Sequence, residues 1–255
     1  MTAPAHQLDR SVDIRARPEV VFRFFTDPAR WAGWWGTGST IDAVPGGRML
    51  IRYPGGVEAA GEVVEVRSPE RIVFTYGYVS GTPFPPGATR VTIQVLRTDT
   101  GSRVNLTHEL PDAATRDAHV QGWRYQLSLF ANIVSAEVTA DVTALVDAWF
   151  AAWAEPDAEV RQQTIERVAE PDVQVKDRFS SLSGVADLLP HIEASQQHMP
   201  GVRLERSGEV RACQGVAICD WTARGGGGQP KATGTTVFDI GPDGRIRTVT
   251  GFWTM

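Results

Sequence analysis

The chain lacks most of the features that would assign it a chemistry directly. Its 255 residues include two cysteines, Cys213 and Cys219. They flank Gln214-Gly215, which reads as a two-residue hairpin turn. Such a turn sets Cys213 opposite Val216 and Cys219 opposite Val210, so no disulfide is expected, and two isolated thiols fit a reducing compartment. The five histidines form neither HxxxH nor HExxH, so neither a metal nor a cofactor is expected. No Ser/His/Asp arrangement, phosphate loop or dinucleotide fingerprint is present. The formal net charge is −5, and no basic block of five residues argues for a nucleic-acid partner. No apolar run approaches the ~20 residues of a membrane span. The opening MTAPAHQLDRS has no apolar secretory core, and the cytoplasm is the expected location. There is no internal repeat, and no low-complexity tract beyond Gly225–Gly228.

What is abundant is aromatic side chains near the start. Arg17 to Gly36 reads RPEVVFRFFTDPARWAGWWG. Pro18 suits a first helical turn, where its missing N–H is not needed. Val21, Phe22, Phe24 and Phe25 supply an apolar face. Asp27-Pro28 stops this helix, because a residue before proline is pushed out of the α region. Trp31, Trp34 and Trp35 follow between glycines and are expected to roof or gate a cavity, with one or two of them ordinary core.

Periodicity divides the chain into halves with different element orders. The first half runs strand, helix, several strands, long helix. Strands are expected at 8–14, 39–44, 48–53, 57–66, 71–78, 89–97 and 103–110, separated by turn-rich segments such as Pro45-Gly46-Gly47 and Pro54-Gly55-Gly56. The helix expected over 112–134 places Trp123, Leu127, Phe130 and Val134 on one face. The second half runs a helix whose stripe of Val142, Leu145, Val146, Trp149, Phe150 and Trp153 ends at Glu155-Pro156, then a helix (158–169), a short strand (172–177), a third helix (184–197) and four strands near 202–212, 216–224, 231–240 and 245–254. The boundary is expected near 136–139, giving domains 1–138 and 139–255. No Gly or Pro lies between Gly122 and Pro156, so the two helices there join with a slight bend or run as one.

These residues resemble known families. Ala16-Arg17-Pro18-Glu19-Val20-Val21-Phe22, Thr26-Asp27-Pro28, Trp34-Trp35, Gly46-Gly47, Gly61-Glu62-Val63, Pro69 through Thr75, Leu106-Thr107-His108 and Gly122-Trp123 are similar to the SRPBCC superfamily, in the branch named for the activator of heat-shock-protein-90 ATPase. The resemblance implies a helix-grip (START-like) fold, an antiparallel sheet wrapped on a long C-terminal helix around an apolar cavity. It implies little about chemistry, and chaperone function does not follow from the branch name. The element order of the second half, with Val173-Gln174-Val175-Lys176-Asp177, Gly184 and Gly244-Arg245-Ile246, resembles the SnoaL-like group of the nuclear-transport-factor-2-like superfamily. That implies an α+β cone of three helices on a curved antiparallel sheet, a ligand pocket and often a homodimer. The whole chain is thus expected to be α+β with two domains.

Within the second half, Asp177 falls where the related isomerase keeps its general base. The isomerase's oxyanion donors, a tyrosine and a protonated aspartate, fall near Trp149 and Thr236 here, so steroid-type isomerisation is not expected. Asp177 as base and Asp177 as partner of Arg178 or loop cap stay open together. Asp220 alternates with Ile218 and Thr222, so it faces either the cone or solvent. His191 reads as a surface or helix-end histidine. The other expected cone-lining residues are Trp153, Phe179 and Phe238. In the first half, His108 shares strand parity with Val104, Leu106 and Leu110 and points inward, where a satisfied structural histidine is the favoured account. Phe74, Tyr76 and Tyr78 share a face of one strand, and the two tyrosine hydroxyls could orient a ligand. Trp123 and Leu127 would line the same cavity from the long helix. The favoured function is binding of a small apolar or aromatic molecule. The alternatives are a cofactor-independent cyclase, isomerase or hydrolase-like enzyme using Asp177, and a scaffold with filled cavities.

Overall fold

The computed structural model describes residues 6–254. By internal contacts the chain forms two compact units that meet between Ser135 and Ala136. Among the described residues there are six α-helices and two sheets, a mixed α+β composition. No single described helix is long and apolar enough to cross a membrane.

The first unit runs β1 (His6–Ile14), α1 (Pro18–Thr26), α2 (Pro28–Trp35), β2 (Thr40–Ile41), β3 (Arg48–Arg52), β4 (Glu58–Arg67), β5 (Arg71–Tyr78), β6 (Thr89–Thr98), β7 (Gly101–Leu110) and α3 (Ala113–Val138). Its strands form one sheet in the order β1-β7-β6-β5-β4-β3-β2, antiparallel at every pairing. Period-two burial defines the inner face: Thr89, Val91, Ile93 and Val95 on β6, and Val104, Leu106, His108 and Leu110 on β7, are all buried. Alternate side chains of a strand fall on one face, so this pattern follows from the sequence. The apolar stripe of α3, Trp123, Leu127, Phe130 and Val134, is buried as well.

The Asp27-Pro28 break does two jobs at once. The Asp27 N–H closes α1 on the Arg23 carbonyl, and its side chain accepts from Arg30 N at 3.0 Å to open α2, with Pro28 at the first helical position. The tryptophan segment, expected only as a roof after the break, is therefore a second helix. Trp31, Trp34 and Trp35 recur at a spacing of three and one, and all three are buried. Trp31 meets Phe74 at 5.9 Å between centroids and Trp34 meets Phe130 at 4.8 Å, so these two rings fill the core between α1, α3 and the sheet.

The proline-rich segment 79–88 lies against the end of β5. Tyr78 N donates to Phe84 O at 2.9 Å. A Cβ on Gly77 would stand 1.9 Å from the Pro85 carbonyl oxygen, so only glycine permits this close approach. Phe84 is buried against Tyr78 and His119.

The second unit runs α4 (Val142–Ala154), α5 (Ala158–Val168), β8 (Ala169–Lys176), β9 (Ser181–Ser183), α6 (Val185–His198), β10 (Arg203–Cys213), β11 (Val216–Arg224), β12 (Pro230–Ile240) and β13 (Ile246–Thr254). Asp141 and Asp157 cap α4 and α5 through their carboxylates, as expected of acceptor side chains at a helix start. The helix over 113–138 and that over 142–154 are thus separate elements. The sheet order is β10-β11-β12-β13-β8-β9. It is antiparallel except where β13 meets β8 in parallel, a departure from the uniformly antiparallel sheet expected. The short β9 has too few residues for a period-two signal. The core gathers Val146, Phe150, Ile165, Val173, Leu188, Ile192 and Phe238.

Cys213 pairs with Val216 across the hairpin, whereas a bulge between Ser207 and Arg211 displaces the register that would have placed Val210 opposite Cys219. Both thiols are free. Burial pushes the Cys219 thiol up to about 11, which makes it unreactive.

Candidate functional site

Each unit contains a cavity of ligand size. The one in the first unit holds about 510 Å³, and the one in the second about 490 Å³. Both lie in the range of small-molecule sites, about 300–1,000 Å³.

The first cavity is walled by Trp35 of α2, Tyr53, Pro54 and Val57 of the β3–β4 turn, Tyr76 and Tyr78 of β5, Pro83, and Ala118, His119, Gly122, Trp123, Tyr125 and Gln126 of α3. Its polar groups are organised. The Tyr53 and Tyr76 hydroxyls are hydrogen-bonded at 3.0 Å. The Tyr78 hydroxyl meets His119 Nε2 at 3.0 Å, and His119 Nδ1 meets the Thr115 carbonyl at 2.7 Å. A carbonyl can only accept, so Nδ1 carries the proton; in neutral His119, Nε2 then accepts from Tyr78. Desolvation raises both Tyr53 and Tyr76 above the ordinary phenol range, so both remain protonated. Gln126 Nε2 donates to the Trp34 carbonyl, fixing α3 to α2.

Behind this wall lies a second set. Thr89 Oγ1 donates to the Tyr76 carbonyl at 2.8 Å and lies 2.9 Å from His108 Nε2. Trp123 Nε1 donates to His108 Nδ1 at 3.1 Å. The single Thr89 proton is committed to the carbonyl, so His108 Nε2 must donate and Nδ1 must accept. This neutral tautomer satisfies every partner. A protonated ring would set two N–H groups against each other, and burial together with His119 pushes His108 down to about 3. His108 is 0% exposed and does not line the cavity, so its role is to hold Trp123 and β6 in place.

The second cavity is more apolar. Trp149, Phe150 and Trp153 of α4, Val175 of β8, Trp221 and Ala223 of β11, and Val249 and Trp253 of β13 form its wall. Polar contributors include Asp177, His191, Ser195, Gln196, Lys231 and Thr236. Asp177 Oδ1 accepts from Phe179 N and Ser180 N at 2.7 Å and from Ser180 Oγ at 2.8 Å. It thereby shapes the turn into β9, and no donor among the described residues reaches Oδ2. Gln196 Nε2 donates to the Trp153 and Glu155 carbonyls at 3.0 and 2.9 Å. Buried Arg161 donates to the same Glu155 carbonyl, which ties α5 and α6 to the end of α4.

The structure distributes the sequence-derived candidates unevenly. Trp35, Tyr76, Tyr78 and Trp123 come together around the first cavity. Trp31, Trp34, Phe74, His108 and Leu127 do not line it; they are packed core, because the sheet and α2 close over them. Asp177, Trp149, Trp153, Phe179 and Thr236 come together around the second. Phe179 nevertheless is 68% exposed and rests edge-on against Trp253 at 5.1 Å. Phe238 is fully buried core. Asp220 is exposed and accepts from Thr235 at 2.6 Å, so it lies on the solvent side of the sheet and away from the cavity. His191, read as a surface residue, lines the cavity edge-on to Trp153 at 5.9 Å. Tyr53 and His119 were missed. Tyr53 sits beside a Pro-Gly-Gly turn, and His119 lies one helical turn before Trp123, the one local signal that could have placed it on the cavity side of α3. Among the described residues no group of His, Cys, Asp and Glu could hold a metal ion.

Residues 15–135 match the family model described as Activator of Hsp90 ATPase homolog 1-like protein. No curated protein matches the chain. Among solved structures, a putative isomerase of the SnoaL-like family from Agrobacterium tumefaciens is 26% identical, covering 44% of this chain and 97% of its own, with a TM-score of 0.43. A protein from Chromobacterium violaceum is 26% identical over 49% of this chain and 94% of its own, with a TM-score of 0.41. The Aha1 dimer from Colwellia psychrerythraea is 18% identical over 48% of this chain and 90% of its own, with a TM-score of 0.42.

Proposed function

We propose that the protein binds a small apolar or aromatic molecule, with the 510 Å³ cavity of the first unit as the principal site. The observation that carries this reading is a tyrosine- and tryptophan-walled cavity whose polar groups are fixed by residues behind them, through His108, Thr89 and Thr115. Preorganised polar groups in an apolar wall are what recognition of a small molecule requires. The family match over residues 15–135 supports a helix-grip domain over 1–138, and the helix, helix, strand, helix, meander order supports a SnoaL-like cone over 139–255. Native mass spectrometry of protein purified without organic additives, with extraction of any retained compound, tests the reading. A stoichiometric apolar ligand supports it. An empty protein that also fails to shift its melting temperature with any apolar compound overturns it.

A second reading places a cyclase, isomerase or hydrolase-like reaction in the second cavity, with Asp177 as general base. It is favoured by one observation: Asp177 lines an apolar cavity with no donor among the described residues on Oδ2. Asp177→Asn would then retain ligand affinity and lose turnover by about 10²–10⁴-fold. A homodimer through the solvent face of the second sheet, where Phe252 is 58% exposed, belongs to the same proposal, and light scattering of the intact chain tests it.

A further inference from the structure

Of the 25 basic residues in the chain only two are lysines, Lys176 and Lys231, and both border the second cavity. Lys176 follows buried Val175 on β8 and is exposed, so alternation carries its side chain to the opposite face. Lys231 differs. Ala223 pairs with Ala232 and Arg224 with Pro230, which leaves Lys231 as the extra residue of a bulge on β12, and a bulge re-aims a side chain. A Cβ on Gly225 would stand 2.7 Å from Lys231 Cε and 3.5 Å from Nζ. Gly225 shares parity with Trp221 and Ala223, which line the cavity. The lysine stem thus crosses the bare backbone of Gly225 on the cavity side. Lys231 is exposed, which places it at the mouth. Among the described residues no carboxylate forms an ion pair with it; Glu205 of the neighbouring β10 is taken by Arg224 at 3.2 Å.

The floor next to this ammonium is apolar. Leu204, Ala223 and Ala232 lie level across β10, β11 and β12. The next inward row is Trp221, Gly234 and Trp253. A Cβ on Gly234 would overlap the Trp221 ring, so the indole lies across the bare β12 backbone. The one carboxylate that lines the cavity is remote. Asp177 follows Lys176, which pairs with Thr250, and so is level with Gly251 and Thr236. Thr236 is five residues from Lys231 along β12, a backbone separation of about 15 Å at the rise of a strand. That exceeds the Debye length at physiological salt.

We infer that the second cavity takes an anionic amphiphile: a carboxylate whose aromatic or aliphatic body lies on the Trp221 and Ala223 rows and whose head meets Lys231 Nζ at the mouth. This goes beyond the reading that makes the first cavity the principal site, and it stands or falls separately. A carboxylate head gains a charge-assisted bond, a neutral head gains an ordinary one, and an ammonium head is repelled. Lys231 is then a specificity-determining residue.

The test is calorimetric titration of the intact chain at low salt with 2-naphthaleneacetate, 2-naphthaleneethanol and 2-naphthaleneethylamine, which carry anionic, neutral and cationic heads on one body. The acetate should bind about fivefold more tightly than the alcohol, the upper range for one exposed ion pair, and the amine more weakly than either. In Lys231→Gln the acetate-to-alcohol ratio should fall to about one with the alcohol affinity unchanged, and Lys231→Arg should keep the ratio. The residue is exposed, so equal melting midpoints are expected for all three chains. Acetate bound no more tightly than the alcohol by the wild-type chain overturns the inference and leaves apolar binding intact. A preference that survives Lys231→Gln overturns it as well, because the anion then sits elsewhere. No binding of any probe also overturns it, whereas the first-cavity reading is decided by its own mass spectrometry.

Discussion

The two cavities have nearly the same volume, about 510 and 490 Å³, yet their walls are built on opposite principles. The first places four hydrogen-bonding side chains in pairs, and the Tyr78–His119 pair is held from outside the cavity by the Thr115 carbonyl. The second presents six indole and phenyl rings, with its one carboxylate tied into its own turn. Volume alone therefore says little about selectivity. A wall of fixed donors and acceptors discriminates strongly between isosteres, since a mismatched ligand leaves a polar group unpaired. A wall of apolar rings discriminates by size and shape, at only about 1–3 kcal/mol per methylene.

The sharpest way to test this contrast is to separate core aromatics from lining ones. Trp34→Ala should lower the stability of the chain by about 3–5 kcal/mol in denaturant unfolding, because Trp34 packs Phe25 and Phe130 and does not line the cavity. A loss below 1 kcal/mol would show that this ring is not core. His108→Leu should cost about 2–4 kcal/mol by stranding the Trp123 Nε1 donor and by removing the donor to Thr89 Oγ1, which keeps its own bond to the Tyr76 carbonyl.

The same histidine gives a pH signature. Its folded-state value lies near 3, below the ordinary 6.5, so the unfolded chain takes up a proton that the folded one refuses. Stability should be full above about pH 6.5, fall as the pH drops toward 3, and level off below that for this group. His108→Leu should flatten that limb of a stability-against-pH curve. An unchanged limb would assign the effect to other groups.

In the second unit the effects should be smaller. Asp177→Asn preserves an acceptor for Phe179 N and Ser180 N, so the melting midpoint should move by less than the equivalent of about 1 kcal/mol. A larger loss would mean that the carboxylate charge itself holds the turn. Asp220→Asn, on the solvent side, should stay within about 0.5 kcal/mol and leave binding in either cavity unchanged. A change in titrated affinity would reopen its assignment to the cone.

Local periodicity accounts for most of the elements. The inward residues of β6 and β7 follow from alternation, and the stripe of α3 follows from spacings of three and four. What escaped was the double role of Asp27. Read from sequence, Asp27-Pro28 is only the stop of the first helix, although an acceptor side chain followed by proline is also a helix start. The stop alone leaves Trp31, Trp34 and Trp35 as a roof in which one or two rings are core, without saying which. The polar wall was legible only in part. Tyr76 and Tyr78 share a strand, but the partners they meet, Tyr53 and His119, arrive from 23 and 41 residues away. Pairings of that kind depend on how β3 and α3 are placed, which no local pattern encodes. In the second unit, Asp220 was undecided between two faces because alternation gives parity and not the sign of the face.

The contact between Gly77 and the Pro85 carbonyl has a kinetic consequence. A segment seated that closely on β5, with the Phe84 ring buried beneath it, is a fixed wall and does not swing to admit a ligand. Under the proposed binding function, entry and exit would run past the rim residues that solvent reaches, Val57 at 50% and Tyr125 at 69% exposure. Bulk at those two positions would then govern the residence time of a bound molecule. Shortening the proline loop would loosen the fold before it hastened release.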